Sequence, residues 1–476
     1  MMGLFGALEM GQRSLQVQRQ GVEVTGHNLA NINNPNYARQ RVEIRSGEAL
    51  SYPDRIMGTG SEVAAITQLR NNFVDRQIQT EASTTGYLEA KQTALEFAQT
   101  NLGELIDSMA TSAEGSAAAS GSGGQHGLSQ GLSKLFNTFQ SLSTKPSDPT
   151  ERLLVIQQAE NLSGTFRETS ERLNDLKRTL DDTLSDDTKQ VNQLLGDVAN
   201  LNAAISREEQ NTSSAANDLR DARLGKLEAL SKLTNIEVSE GDMGMVDISI
   251  NGTTLVSGSK LEDEVEVYDA GGDQMLVRTK AGSVPLALTG GHMQGTIEAR
   301  DQDLQALRDG IDKVASGLIS AVNAVHETGY GLDGTSSEPF FAGTNAANIR
   351  VNAALVADNR RIQAAGVSGA AGDNRVMLQL AQLGTKAQAG LGNLTFSQSY
   401  GQTVAGLGQA LSTANSEASD QKVVTEMLKR QQESVSGVSM DEEMTNLVKF
   451  QRAYQASARF INTIDSMFDD VMNLKR

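Results

Sequence analysis

There is no cysteine in these 476 residues. That removes disulfide scaffolds, thiolate metal sites and cysteine nucleophiles together. Tryptophan is also missing, and aromatics reach only 4%. With 38% hydrophobic residues, the chain suits elongated helical packing plus a small domain better than one large core. Proline is scarce, at six residues, which permits long uninterrupted helices. No stretch approaches the roughly 20 apolar residues of a membrane span. Glu9 interrupts the short apolar start and no basic leader precedes it, so no ordinary secretory signal is expected. Positive charge is short too. The net charge of −18 argues against broad binding to nucleic acid or anionic membranes. The acid is uneven: Glu237 to Asp269 holds nine Asp/Glu against one Lys, whereas the first 50 residues carry five Arg against four Glu.

What is present is periodicity. Leu8, Leu15, Val22 and Leu29 recur every seven residues near the start, and Leu447, Tyr454, Ile461 and Phe468 do so near the end. Each set makes one apolar stripe on a helix, and such a stripe wants a partner helix. The two ends are therefore expected to pair with each other or with copies of themselves. The spacing predicts a helix over residues 4–29, with small or polar Gly11, Gln18 and Thr25 beside the stripe. It predicts another from about 439 to 473. That last helix is apolar nearly all round at its end, where Phe460, Ile464, Met467, Val471 and Leu474 join the stripe. One partner would not cover it, so part of the burial is expected between molecules.

Between the ends, residues 42–44 and 62–66 alternate as short strands around Gly58-Thr59-Gly60, and 71–110 read as a helix. Thr111 to Gly131 is rich in Ser, Ala and Gly and reads as a flexible connection; His126 sits in it alone and is taken as solvated. Asp148-Pro149-Thr150-Glu151 is a helix start. From Leu173 through Ile205 a 3–4 spacing makes a long coiled-coil seam that only Asp187 breaks, with Gly164 and Gly196 as weak points. From Ser239 to Leu288 the period is two, with Asn251-Gly252 as a hairpin signal and Val284–Leu288 as a last strand. Residues 295–325 return to helix. The expected fold is mainly α with a small β part: paired terminal coiled-coil helices, an elongated helical rod-like domain and an inserted all-β outer domain. The boundaries are 1–50 with 436–476 for the terminal assembly domain, 51–236 with 292–435 for the rod, and 237–291 for the β insertion.

No catalytic constellation is visible. His326 beside Glu327 does not face it on a helix, His27 and His292 stand isolated, and there is no nucleophile elbow, phosphate loop or metal-spaced histidine set. The acids of the β insertion alternate with apolar residues and form no calcium loop. Neither an enzyme nor a cofactor or metal is expected.

The loop after the first helix, Leu29-Ala30-Asn31-Ile32-Asn33-Asn34-Pro35-Asn36-Tyr37-Ala38-Arg39-Gln40, resembles the N-terminal signature of bacterial flagellar rod, hook and hook-associated proteins. Gly60-Ser61-Glu62-Val63, Arg70 and Phe73-Val74-Asp75 are similar to the same group. So are Lys134 to Arg152, Gly290 to Asp301, Val322 to His326, Gly329 to Gly343 and the run Glu442 to Arg459, which resemble its hook–filament junction branch. Together they span nearly the whole chain in order. The resemblance implies a structural adaptor that forms a ring between hook and filament through its terminal helices. It implies contacts with itself, with hook protein and with a second junction protein, and a cytoplasmic export chaperone that holds the C-terminal helix. It also implies type III export to the flagellar exterior without a cleaved signal. Asn31, Asn34, Pro35 and Tyr37 join the eight stripe residues as candidate assembly positions. The rivals are another axial subunit, such as hook protein or a second junction protein, and a secreted adhesin-like module carried by the β insertion. Loss of Ser239–Leu288 is expected to spare assembly in the structural reading.

Overall fold

The computed structural model describes residues 4–52, 55–102, 127–211, 215–272 and 274–473. The chain opens with α1 (Leu4–Ala30), four short strands β1 (Gln40–Ser46), β2 (Leu50–Tyr52), β3 (Arg55–Met57) and β4 (Ser61–Gln68), and α2 (Asn72–Leu102). Next come α3 (Leu128–Thr144), α4 (Pro149–Asn211) and α5 (Asn217–Leu233). The β unit follows: β5 (Glu237–Glu240), β6 (Val246–Ile250), β7 (Thr253–Ser257), β8 (Lys260–Leu261), β9 (Val265–Asp269) and β10 (Met275–Thr279). Helix resumes in α6 (Gly291–Glu298), a π-helical turn (Ala299–Leu304) and α7 (Gln305–His326). A largely irregular stretch with β11 (Phe341–Ala342), β12 (Arg350–Val351), α8 (Ala353–Ala357) and α9 (Arg375–Gln382) leads to α10 (Phe396–Ser436) and α11 (Met440–Asn473).

Helix α4 is the beam of the molecule. Its 63 residues span roughly 95 Å at 1.5 Å per residue. Both Gly164 and Gly196, expected weak points, pass without a break. Packing against neighbours outweighs the roughly 1 kcal/mol that each glycine costs a helix. The helix serves two cores. Val155 to Leu180 join α3, α7, α9 and the first half of α10. Leu184 to Ala199 join α5, Met293 and the inner faces of the β strands. Between the two, fully buried Arg300 in the π turn pairs with Asp181 at 2.7 Å and with Asp301, and donates to the Met275 carbonyl at 2.7 Å. It ties α4, α6–α7 and β10 at one point.

The β unit is an antiparallel sheet β5–β6–β7–β8 beside the hairpin β9–β10. Asn251 and Gly252, at φ 47° and 76°, both take the positive φ that an Asn-Gly hairpin turn requires. The expected strand at Val284–Leu288 reduces to a bridge between Arg278 and Pro285, flanked by two ladder bonds, Thr279 N–H to the Val284 carbonyl at 2.9 Å and Leu286 N–H to the Val277 carbonyl at 3.0 Å. The unit shares its core with α4 and α5. Asn192 and Asn202 of α4 also bond the backbone of Val265, Val246 and Gly258.

Three further expectations change. The connection expected over Thr111 to Gly131 ends earlier, because α3 begins at Leu128; its Gly131 packs close on Leu162. Residues 111–126 with His126, and the expected helical stretch 103–110, lie outside the described residues. The helix expected from Gly295 begins at Gly291 and carries the π turn. Finally, α10, with 41 residues, has no counterpart in the periodicity reading. Its start is a capping box: the Thr395 hydroxyl accepts from the Gln398 N–H while the Gln398 side chain accepts from the Thr395 N–H.

Candidate assembly site

Chain start and chain end lie side by side. Helices α1 and α11 pack antiparallel: Phe5 meets Phe468 with ring centroids 4.9 Å apart, Ser14 bonds Ser457 at 2.8 Å, and Asn28 reaches Glu443 at 3.0 Å. The closest approach is made by glycine. A Cβ on Gly11 would lie 2.7 Å from Ile461, and one on Gly21 2.5 Å from the Phe450 ring. So the buried seam of α1 is Gly11, Val17, Gly21, Val24, Thr25 and Asn28. It includes Gly11 and Thr25, which the seven-residue reading had placed beside the stripe.

The stripe residues themselves flank that seam. Leu8, Leu15, Val22 and Leu29 are half-buried, as are Leu447, Ile461 and Phe468. Tyr454 is 42% exposed and, with Val22 and Arg19, lines a shallow hollow on the outside of the pair. Much of the apolar surface is left uncovered: Phe5 is 77% exposed and Met472 72%, with Met444, Val448, Phe460, Met467 and Val471 also open.

The pair is fixed to the body by a polar knot beneath the signature loop. Asn28, 1% exposed, uses its whole amide. Its Oδ1 accepts from the Tyr37 hydroxyl at 2.7 Å and the Gln40 N–H at 3.0 Å. Its Nδ2 donates to the Gln40 carbonyl at 2.9 Å and to Glu443. Because the Tyr37 proton is spent on Asn28, the His27 Nδ1–H donates to the Tyr37 oxygen at 3.0 Å. His27 also approaches Asp218 at 3.5 Å. Glu443, buried in turn, accepts from Arg39, which reaches Glu442 as well and donates its backbone N–H to the Ser436 carbonyl. Burial works against the Arg39 charge, yet the bonds to Glu442 and Glu443 hold it above its ordinary value. Burial and then the charges of Asp218, Asp221 and Glu443 push the Tyr37 hydroxyl up.

The second layer of the knot is Asp221 of α5. It accepts from the Ala38 N–H at 3.1 Å, from Gln68 at 2.6 Å and from Arg70 at 2.5 Å. Burial raises its carboxyl even so. Arg70 also binds Asp75, which Gln432 of α10 caps at 2.8 Å. Five helices, α1, α2, α5, α10 and α11, thus meet where the loop passes.

The loop residues do different work. Asn31 closes α1 by donating from Nδ2 to the His27 carbonyl, and Asn34 makes an Asx turn by accepting the Asn36 N–H at 3.2 Å. Asn34 and Pro35 are exposed, Asn31 is half-buried and Tyr37 is buried. Asn28, Glu443 and Asp221 escaped the sequence reading, since the polar bonds that define them join positions up to 415 apart. The histidines taken as isolated are partnered. Besides His27, His292 bonds Asp187 at 2.6 Å, which explains the acid in the α4 seam. His326 is fully buried, with Nδ1 on the Glu338 carbonyl and Nε2 accepting the Gln363 N–H. Among the described residues no three or more His, Cys, Asp or Glu gather as metal ligands, and no helix is long and apolar enough to cross a membrane.

A helix pair made from both chain ends, clamped to a rod and apolar on its outer side, is the form of a subunit with a surface left to cover. The family model for the flagellar basal body rod FlgEFG protein C-terminal matches residues 431–474, which is α11 with its approach. That likeness, over the last helix, is to axial proteins of the bacterial flagellum. The model for the flagellar hook-associated protein FlgK helical domain matches residues 118–341. Flagellar hook-associated protein 1 of Bacillus subtilis (strain 168) is 26% identical, with 99% of each chain covered. That of Salmonella typhimurium (strain LT2) is 24% identical over 97% of this chain and 98% of its own. The solved flagellar hook junction protein FlgK from Burkholderia pseudomallei shares the fold, with a TM-score of 0.64 at 14% identity over 76% of this chain and all of that one. Over nearly its whole length the chain is similar to flagellar hook-associated protein 1, and its central part matches the helical domain of that protein.

Proposed function

We propose that this chain is the structural adaptor between hook and filament, and that it self-assembles there through its terminal helices. The observation that carries the reading is the state of the α1–α11 pair. One face is locked by glycine contacts and the polar knot, while Phe5, Met444, Tyr454, Met467 and Met472 stay exposed. Burying such side chains is worth roughly 1.5–3 kcal/mol each, enough in sum to drive association of many weak copies. Leu8, Leu15, Val22, Leu29, Leu447, Tyr454, Ile461 and Phe468 are assigned to assembly, as flanks of the seam. Asn31, Asn34, Pro35 and Tyr37 are assigned to holding the pair at its angle to the rod.

The partners in this reading are neighbouring copies in a ring, hook protein on one side and a second junction protein on the other. Before assembly, a cytoplasmic chaperone covers α11, and the subunit leaves by the flagellar type III route without a cleaved signal. The test is immunogold electron microscopy of intact flagella with antibody to the β unit. A single band where hook meets filament is expected; label spread along hook or filament, or none on flagella, refutes the assignment.

A further inference from the structure

Four arginines from three parts of the chain converge on one cleft of about 550 Å³. Arg70 stands between β4 and α2, Arg76 near the start of α2, and Arg220 and Arg223 near that of α5. Asn72 and Asn217, at the two helix starts, border the same cleft, so the positive ends of two helices add to the guanidinium charge. The far wall is β5 and the turn from Gly241 to Val246.

The carboxylates nearby are largely engaged. Asp221 is held by Arg70, Gln68 and the Ala38 N–H; Asp75 by Arg70 and Gln432; Glu209 by Arg220 and the Ala216 N–H. Glu240 reaches the exposed Arg76 at 3.4 Å. Arg223 differs. It is only 8% exposed, donates from one terminal nitrogen to Asn202 Oδ1 and to the Gly244 carbonyl, each at 2.7 Å, and forms no ion pair among the described residues. The Arg70 Nε is buried with no hydrogen-bond partner. Glu209 and Glu240 favour the Arg223 charge only from a distance, and a buried guanidinium without a direct ion pair is costly. Burial, with Arg220 beside it, lowers Arg223 to about 10.

We propose that this cleft is an oxyanion site, in which Arg223 and Arg70 supply the unmet donors and Arg76 and Arg220 form the rim. The group it takes is a carboxylate or a phosphate. It arrives either as a free anion or as an Asp or Glu side chain of a neighbouring copy, which a chain with 59 acids against 41 basic residues has in excess. The second source rests on the self-assembly reading above.

The test titrates inorganic phosphate into the intact chain by calorimetry at constant ionic strength, and follows self-assembly by light scattering in parallel. Wild type, Arg223→Gln and Arg76→Gln are compared, with circular dichroism as the check on folding. A free-anion site gives saturable binding of one phosphate per chain, abolished in Arg223→Gln and weakened at least threefold in Arg76→Gln. Arg76→Gln keeps the test open where the buried variant misfolds. No phosphate binding, but assembly slowed at least threefold in Arg76→Gln with unchanged folding, assigns the site to a neighbour's side chain. Phosphate binding indifferent to both substitutions overturns the proposal. So does no binding combined with unchanged assembly. If wild type itself fails to assemble, the self-assembly reading falls, and the phosphate titration alone decides the site, absence of binding overturning it.

Discussion

Replacing Asn28 by aspartate changes one NH2 group to oxygen and nothing in shape. The wild-type Nδ2 lies 2.9 Å from the Gln40 carbonyl and 3.0 Å from Glu443. The substitution therefore sets two carboxylates at hydrogen-bond distance in a buried site. Their repulsion at 3 Å is about 5 kcal/mol at an effective dielectric of about 20. Uptake of one proton relieves that repulsion, but a carboxylic acid carries one proton where the amide carried two, so the Gln40 carbonyl loses its donor. Protonating a carboxyl of ordinary pKa near 4.3 at pH 7 costs about 4 kcal/mol, and the bond lost at the Gln40 carbonyl adds about 1–3 kcal/mol. The sign follows: like charge raises the folded-state pKa, so stability is lost as pH rises and regained at about 1.4 kcal/mol per unit as it falls. Asn28→Ala instead strands the Gln40 amide and one Glu443 oxygen, at about 1–3 kcal/mol per group, with no such recovery. Hydrogen exchange of α1 and α11 peptides, expressed as protection factors, reads the effect. Asn28→Asp is expected to lose protection there at pH 7.5 and recover part of it at pH 5.5, while α4 peptides stay unchanged. Wild-type protection in Asn28→Asp at pH 7.5, or a defect of the same size at both pH values, would refute the role given to Asn28.

Gly21→Val puts a branched side chain where Phe450 sits at 2.5 Å, so overpacking should cost about 1–3 kcal/mol; unchanged α11 exchange would contradict the glycine seam. Burial lowers His326 to about 4, so stability is full above about pH 6.5 and falls, by roughly 3 kcal/mol in all, as pH drops toward 4. Urea midpoints should show that slope in wild type and lose it in His326→Gln, and equal slopes count against it. Ile248→Ala in the β unit should cost about 2–5 kcal/mol and loosen the second half of α4; exchange changes confined to the β strands would show that the shared core is not cooperative. For the same reason deletion of Ser239–Leu288, expected from the sequence to be tolerated, uncovers Leu195 and Leu230 and should destabilise the rod.

Much of the architecture is written in local pattern. The 3–4 spacing from Leu173 to Ile205 makes α4 a helix wherever it lies, and Asn251-Gly252 forces a hairpin because both residues accept positive φ. The two terminal stripes announced helices in want of partners, and the Asn-rich loop carried the family resemblance. These signals act over a few residues, through backbone conformation and one-dimensional periodicity. Which face docks, and on what, is a different kind of information. Only the folded chain made Gly11 and Gly21 the seam and left Leu8 and Leu15 beside it, because how near two helices come depends on the residues opposite. Asp187 read as a flaw until His292 met it, and Asn28 read as an ordinary helix residue until Glu443 arrived from the other end of the chain. A buried polar group needs its partner within about 3 Å, and no local spacing records a partner 415 positions away.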